Sequence, residues 1–102
     1  MIESEALPIM SGAYELLEEG CIPGASFRNL RYAEAWVDFS PSLDYNLKML
    51  AADAQTSGGI LLSVSAEKAD ELLSELTKVY PASARIGTTE SRADDGPYLR
   101  LI

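Results

Sequence analysis

The stretch Asp53-Ala54-Gln55-Thr56-Ser57-Gly58-Gly59-Ile60-Leu61 combines a helix exit, a polar cluster and two adjacent glycines. It follows an amphipathic helical stretch and leads directly into apolar residues. The two glycines remove side chains where the backbone enters the predicted strand, so the backbone there can turn sharply or let another group approach closely. Such a junction is not typical of a plain surface loop. It predicts a helix, a polar connection and a strand in the middle of the chain.

The residues after this junction predict a strand followed by a helix. The continuous apolar run from Gly59 to Val64 predicts a strand that is buried on both faces. Ser65 is a candidate N-cap, and Tyr80-Pro81 ends the helix that follows. The apolar residues of this helix recur at steps of three and four, which predicts a face packed on the sheet. They are Ala69, Leu72, Leu73, Leu76 and Val79.

The residues before the junction predict two further helices and a strand. A first helix is expected to begin near Pro8 and end at Gly20, and Cys21 to Asn29 is expected to be a loop. Ala33 to Phe39 alternates as a short strand. Ser40-Pro41 then resembles the start of a helix that continues to about Ala52.

Two more strands are predicted near the end of the chain. Ala84 to Thr88 alternates, Asp94-Asp95-Gly96 is a turn signal, and Tyr98 to Ile102 forms a final strand. Helices and strands therefore alternate along the chain. This order predicts an α/β or α+β fold, with helices packed on a mixed sheet.

Composition limits the classes of function. The chain has 102 residues with 47% apolar content, which is enough for one small domain with a single core. Its 16 acidic and 8 basic residues give a net charge of −8, which argues against nucleic acid as a partner. No apolar stretch approaches the ~20 residues of a membrane span. The single cysteine and the lack of a signal peptide favour a cytoplasmic location. The lack of histidine removes the commonest general base and zinc ligand.

Three segments together resemble a known family. The stretch from Asp53 to Leu61 is similar to the Asp-Pro-Gln-Thr-Ser-Gly-Gly-Leu-Leu signature of selenophosphate synthetase (selenide, water dikinase). Leu7 to Ala13 is similar to the family's Leu-Pro-…-Gly-Ala segment, and Gly20 to Asn29 to its Gly-x-x-Pro-Gly-Gly-…-Asn loop. The three occur in the family's order. Ala54 replaces the usual Pro and Ala25 the usual second Gly, which loosens two turns without removing a reactive group.

The resemblance implies a C-terminal domain of the aminoimidazole ribonucleotide synthetase-like superfamily. In that superfamily an N-terminal ATP-binding domain carries the reactive Cys or selenocysteine, its Lys, the glycine-rich loop and most metal-binding Asp residues. None of these motifs occurs in this chain. Residues 1–102 are therefore expected to be a single domain that holds no catalytic residue, metal or cofactor of its own. ATP and magnesium are implied for the full-length enzyme, and the ATP-binding domain is the implied partner.

The candidate binding residues are Gln55, Thr56, Ser57, Gly58 and Gly59, and two interpretations stay open. Their backbone N–H groups and hydroxyls could face phosphate or a partner domain across a cleft. Alternatively, the glycines permit tight helix–strand packing and the hydroxyls cap the helix end. We favour the structural interpretation, since the segment contains no P-loop pattern and no nucleophile paired with a base.

Other polar residues carry weaker signals. Arg28, Asn29 and Arg31 could bind an anion or balance nearby acids. Cys21 has no His, Cys or Lys nearby, so a half-buried loop residue is favoured over a reactive thiol.

The remaining candidates are one acidic cluster and one aromatic residue. Glu90, Asp94 and Asp95 could suggest a hard cation, but a solvated hairpin tip fits their pattern better. Trp36 is expected in the core or in an interface, since basic neighbours that would favour nucleic-acid stacking are few.

Three hypotheses for the function follow. In the first, the chain is the C-terminal domain of a selenophosphate synthetase, supports ATP-dependent formation of selenophosphate from selenide, and is inactive alone. In the second, it is a stand-alone binding or scaffolding module derived from that domain. In the third, it is a related synthetase domain for another substrate. Strands that the superfamily domain has upstream of Leu7 are missing here, so a bare sheet edge and a homo-oligomer are expected. Tyr14, Trp36, Phe39 and Ile102 are the apolar candidates for the contact.

Overall fold

The computed structural model describes all 102 residues and contains four α-helices and two short β-strands. In chain order the elements are a 3-10 turn at Ser4–Ala6, α1 (Ala13–Glu18), α2 (Gly24–Ala33), β1 (Val37–Phe39), α3 (Tyr45–Ala51), α4 (Ala66–Val79) and β2 (Leu99–Leu101). The predicted mixed α/β class is confirmed. None of the helices has both the length and the apolar character needed to span a bilayer.

The core takes one apolar residue from each of the first three helices. Leu17 of α1, Leu30 of α2 and Met49 of α3 are buried together, and Met49 is completely buried. Partly buried apolar residues surround them: Ile22, Phe39, Leu50 and Ala52. Only 6 of the 102 residues are buried, so most of the apolar side chains outside this cluster keep contact with solvent.

The sheet joins the two ends of the chain. β1 and β2 are parallel, with Val37 opposite Leu99 and Phe39 opposite Leu101. On the other side of β2, the N–H of Ile2 donates to the carbonyl oxygen of Arg100 at 2.7 Å, and that of Ile102 donates to Ile2 at 3.0 Å. Ile2 pairs in the parallel sense with Leu101 and in the antiparallel sense with Gly87, so the strand pairing around it is mixed. The predicted final strand is confirmed, whereas the predicted strand from Ala84 to Thr88 is reduced to one bridge.

Gly87 allows the N-terminal segment to come close. A Cβ atom at this position would overlap the carbonyl oxygen of Met1 and would lie 2.9 Å from the Cα of Ile2. Any other residue would therefore push the N-terminal segment away from the backbone at Gly87.

The prediction of a loop from Cys21 to Asn29 is wrong from Gly24 onward, where α2 begins. Pro23 is its N-cap, in an extended conformation. Ser26 and Leu30, four residues apart, form its buried face. A face made of one serine and one leucine gives only a weak periodic signal, which is why the helix was missed.

The predicted helix starts are also displaced. α1 begins at Ala13 and not near Pro8, with Gly12 as N-cap at φ 84°. α3 begins at Tyr45 with Asp44 as N-cap, so Ser40-Pro41 lies in the preceding turn. The C-terminal ends of α1 and α3 agree better with the prediction. α1 ends before Gly20, which has φ 83°, and α3 ends at Ala51.

The start of the predicted strand from Ala33 to Phe39 is also displaced. Ala33 still belongs to α2, and only Val37–Phe39 is a strand. The alternation in this stretch begins inside the last turn of the helix, so periodicity alone places the strand too early.

The largest correction concerns residues 59–64 and α4. Gly59 to Val64 is exposed and pairs with no strand, so the prediction of a doubly buried strand is wrong in this structure. α4 lies where it was predicted, but none of its residues is buried. A strand needs a neighbour for its backbone hydrogen bonds, and the two-stranded sheet of this chain does not reach residues 59–64. Without that strand, α4 has no sheet to cover.

Candidate functional site

The carboxylate of Asp53 is the centre of a hydrogen-bonded cluster at the end of α3. The Ser26 hydroxyl donates to Asp53 Oδ1 at 2.7 Å. The Gln55 side-chain amide donates to Asp53 Oδ2 at 2.6 Å. Ser26 is completely buried, whereas the carboxylate that accepts its hydrogen bond is only partly buried. One carboxylate thus connects α2 to the first residues of the polar loop.

A second bond connects the same two helices. The side-chain amide of Asn29, one turn after Ser26, donates to the carbonyl oxygen of Ala52 at 3.0 Å. Ala52 is the C-cap of α3, and its carbonyl has no partner inside the helix. Ser26 and Asn29 lie three residues apart on one face of α2, so both reach the α3 terminus.

The two donors keep the Asp53 carboxyl ionised. The hydrogen bond from Gln55, and then that from Ser26, lower the pKa of Asp53 below its ordinary value, although partial burial opposes them. A general base that works near neutral pH needs a raised carboxyl pKa. Asp53 is therefore suited to holding the loop in place and unsuited to proton transfer.

The rest of the polar loop is exposed. Thr56 and Ser57 form a bend, and their hydroxyls make no hydrogen bond within the chain. Gly58 and Gly59 lack the positive φ of Gly12 and Gly20, and a Cβ at either would meet nothing within 4 Å. The tight packing that we favoured for these glycines is thus not found in this chain. What the loop offers is unengaged N–H groups and hydroxyls.

Comparison with known proteins identifies a set of relatives by sequence. The chain is 42% identical over 95 residues to a selenide, water dikinase of Porphyromonas gingivalis. It is 36% identical over 99 residues to the protein of the same name from Caldanaerobacter subterraneus subsp. tengcongensis. The matches cover 91% and 96% of this chain respectively. The chain is similar to selenide, water dikinases over nearly its whole length.

The match is to a part of these dikinases. The chain spans 27% of the Porphyromonas gingivalis protein and 28% of the Caldanaerobacter protein, which is consistent with a C-terminal domain. A selenide, water dikinase of Carboxydothermus hydrogenoformans shows 37% identity over 79% of the chain and 24% of its own length. No protein-family model matches the chain.

Both segments of the Asp53 cluster lie inside the region shared with the dikinases. The Porphyromonas gingivalis match leaves less than a tenth of this chain uncovered. Gly20 to Asn29 and Asp53 to Gly59 lie too far from either end to fall outside it. The fold therefore brings together the two loop segments that the sequence analysis compared with the dikinases.

The other candidate residues lie apart from this cluster. Arg28 and Arg31 are exposed, and neither is within ion-pair distance of a carboxylate. Asn29, considered with them as an anion ligand, instead holds Ala52. Cys21 is exposed and not half-buried.

Trp36 lies at the side of an open cleft. Its ring packs against Tyr98 at 5.7 Å between centroids, and it is 49% exposed. The Arg92 guanidinium stands 4.2 Å from the Tyr98 ring and donates to the Gly96 carbonyl oxygen at 3.1 Å. The prediction of a core position for Trp36 is wrong, and an interface position stays a prediction.

The acidic residues near the end of the chain do not converge. Asp94 and Asp95 form the predicted turn, while Glu90 lies 3.8 Å from Arg100. No three Cys, Asp or Glu side chains lie together in a way that could hold a metal ion.

Sequence reasoning missed Ser26 and the role of Asp53. A signal was present, because Ser26, Asn29 and Leu30 have the spacing of one helix face. It could not be used while this segment was assigned to a loop.

Proposed function

We propose that this chain is the C-terminal domain of a selenide, water dikinase. In this proposal it supports ATP-dependent formation of selenophosphate from selenide, together with an N-terminal ATP-binding domain that carries the catalytic residues. The observation that carries the proposal is the 42% identity over 91% of the chain, which includes both segments joined at Asp53.

The proposed role of Gln55 to Gly59 is to face the ATP-binding domain across a cleft. Asp53 fixes Gln55, and the exposed N–H groups and hydroxyls that follow can donate to a partner domain or to phosphate oxygens. The glycines leave the backbone free for close approach, since neither is needed for packing inside the chain. The chain supplies no nucleophile, and ATP and magnesium belong to the other domain.

Reconstitution tests this function. The chain is mixed with the part of the Porphyromonas gingivalis protein that the match leaves out, and AMP release is followed with ATP, magnesium and selenide. We expect the mixture to turn over ATP in a selenide-dependent way, and each part alone to be inactive. Gln55→Ala should lower the rate of the mixture, whereas the exposed and distant Ser42→Ala should not.

The control is the C-terminal part of the Porphyromonas gingivalis protein itself. If that part restores activity and this chain does not, the chain is not a working dikinase domain, and a stand-alone binding module is the better explanation. Turnover by the isolated chain at the rate of a full-length dikinase would contradict the assignment of catalysis to the other domain.

A further inference from the structure

The polar loop from Gln55 to Gly59 is held to the rest of the chain only where it begins. No backbone N–H or carbonyl group from Ala54 to Val64 makes a hydrogen bond within the chain. Among the side chains of this stretch only that of Gln55 makes one, to Asp53. No residue of α4, which follows the stretch, is buried. The direction of the loop is therefore set at the end of α3.

We propose that Ser26 and Asn29 of α2 are positioning residues for the dikinase reaction. Ser26 acts through Asp53, Asn29 acts through Ala52, and together they hold Gln55 where it meets the ATP-binding domain. Neither α2 residue is expected to touch substrate. Their roles rest on the proposed function, because the loop has a partner domain only in the full-length enzyme.

The two α2 side chains hold two consecutive residues of the chain. The amide of Asn29 donates to the carbonyl oxygen of Ala52 at 3.0 Å, and the hydroxyl of Ser26 donates to Asp53 Oδ1 at 2.7 Å. A single bond would leave the chain free to rotate about it, whereas bonds to a backbone group and to the next side chain restrict both place and direction. Asp53 Oδ2 accepts from Gln55 at 2.6 Å, which carries this direction into the loop.

The α2 side of this contact is fixed by the core. Ser26 is completely buried, and its hydroxyl has no partner within the chain other than Asp53. Leu30, one turn further along α2, is buried with Leu17 and Met49. Because close-packed side chains resist displacement, α2 cannot shift without disturbing the core. The two donors thus transfer the order of the core to an otherwise exposed loop.

A positioning role differs from a catalytic one in what each variant of Asp53 should retain. Asp53→Asn keeps an oxygen that accepts from Ser26, and its amide can donate to Gln55 once the Gln55 side chain turns over. Asp53→Ala keeps neither bond. We expect Asp53→Asn to retain most of the reaction rate and Asp53→Ala to lose it. A carboxylate needed for its charge would lose the rate in both variants.

The test mixes this chain with the part of the Porphyromonas gingivalis protein that the match leaves out, and follows selenide-dependent AMP release. We expect Ser26→Ala to lower the rate roughly tenfold, since a misplacement of about 1 Å can cost ~100-fold. Asn29→Ala should also lower it. Tyr14→Phe is the matched control, because it removes a hydroxyl bond to Asp44 at the opposite end of α3 and should leave the rate unchanged.

A double variant separates positioning from a general loss of stability. If Ser26 acts through Asp53 on Gln55, Ser26→Ala and Gln55→Ala together should lose no more rate than the more harmful single variant. Losses that come only from a less stable fold should multiply. Circular dichroism and urea unfolding check that every variant is folded under the assay conditions.

The order of the loop can be measured without turnover. In the isolated chain, we expect Ser26→Ala and Asn29→Ala to lower the backbone NMR order parameter of Gln55, because each variant removes one of the two anchors. Tyr14→Phe should leave that order parameter unchanged. An unchanged value in both α2 variants would overturn the proposal.

Failure of this proposal is distinguishable from failure of the proposed function. If the unchanged chain restores no turnover although the C-terminal part of the Porphyromonas gingivalis protein does, the proposed function fails, and the positioning roles fail with it. If the unchanged chain restores turnover and Ser26→Ala and Asn29→Ala are equally fast, only the positioning roles are overturned. Equal losses in Asp53→Asn and Asp53→Ala, or multiplying losses in the double variant with Gln55→Ala, would overturn them as well.

Discussion

Asp53 couples its own ionisation to folding, because its two donors are in place only in the folded chain. Its pKa is lowered in the folded state, so the unfolded chain binds a proton more readily. The ionised carboxylate therefore stabilises the fold above the ordinary Asp pKa of about 4, and this contribution is lost as the pH falls through the lower folded-state value.

We expect the free energy of unfolding to fall as the pH drops below about 4, and to fall less steeply in Asp53→Asn. Ser26→Ala should raise the pKa of Asp53 toward its ordinary value, because the second largest cause of the lowering is removed. Urea unfolding at several pH values measures the first effect, and an NMR titration of the carboxyl carbon measures the second. Identical pH profiles for the chain and Asp53→Asn would show that the cluster does not form.

Two glycines in different conformations give a second prediction at this scale. Gly20 has φ 83°, where a side chain is strained, while Gly58 has ordinary φ and open space around it. We expect Gly20→Ala to cost roughly 1 kcal/mol and Gly58→Ala less than about 0.5 kcal/mol. Thermal and urea unfolding of both variants is the measurement. A larger cost at Gly58 in the isolated chain would restore the packing role that the sequence analysis favoured.

Among single residues, the sequence predicted the motif at residues 53–59 but not Ser26, which donates to Asp53. Residues 53–59 stood out because diglycine after a polar cluster is unusual. Ser26 did not stand out, because it lies 27 positions from Asp53 in the chain. It acquires its role only when folding buries it beside that carboxylate. The binding role of Gln55 to Gly59 stays a prediction.

Among the elements, α3 and α4 differ in what they bury, and their core positions should respond differently to truncation. Met49 of α3 is fully buried, so Met49→Ala should cost about 2–5 kcal/mol. Leu73 of α4 is only partly buried, so Leu73→Ala should cost roughly 1 kcal/mol. This is less than the cost expected if Leu73 were fully buried against a sheet. Urea unfolding by circular dichroism compares the two. If Leu73→Ala proves as costly as Met49→Ala, α4 is packed in solution in a way the structure does not show.

Elements with strong local signals were predicted, and elements that depend on distant partners were not. α4 has apolar residues at helical steps and a proline just after its end, so its range needed no tertiary information. The strand predicted at Gly59 to Val64 has equally strong apolar character, but a strand exists only when another strand accepts its hydrogen bonds. α2 is the opposite case, because its local sequence pattern is weak and yet the segment forms a helix that buries Ser26 and Leu30.

For the whole molecule, alternation of helices and strands was sufficient to predict the mixed α/β class. The pairing of strands was beyond local patterns, because the sheet is closed by residues from opposite ends of the chain. The sequence also could not show how little is buried, since apolar content of 47% does not reveal which apolar residues find partners.

The position of Ile2 between Arg100 and Ile102 has a consequence for synthesis of the protein. Ile2 is among the last residues of this fold to find its hydrogen-bonding partners, because Arg100 and Ile102 leave the ribosome long after it. Contacts of such long sequence separation slow folding, since a large loop must close before any of them forms. During translation α1, α2 and α3 can assemble around Met49 before Ile2 is paired. A nascent chain that stops before Leu99 would keep its helices and lose its sheet, which would expose it to degradation.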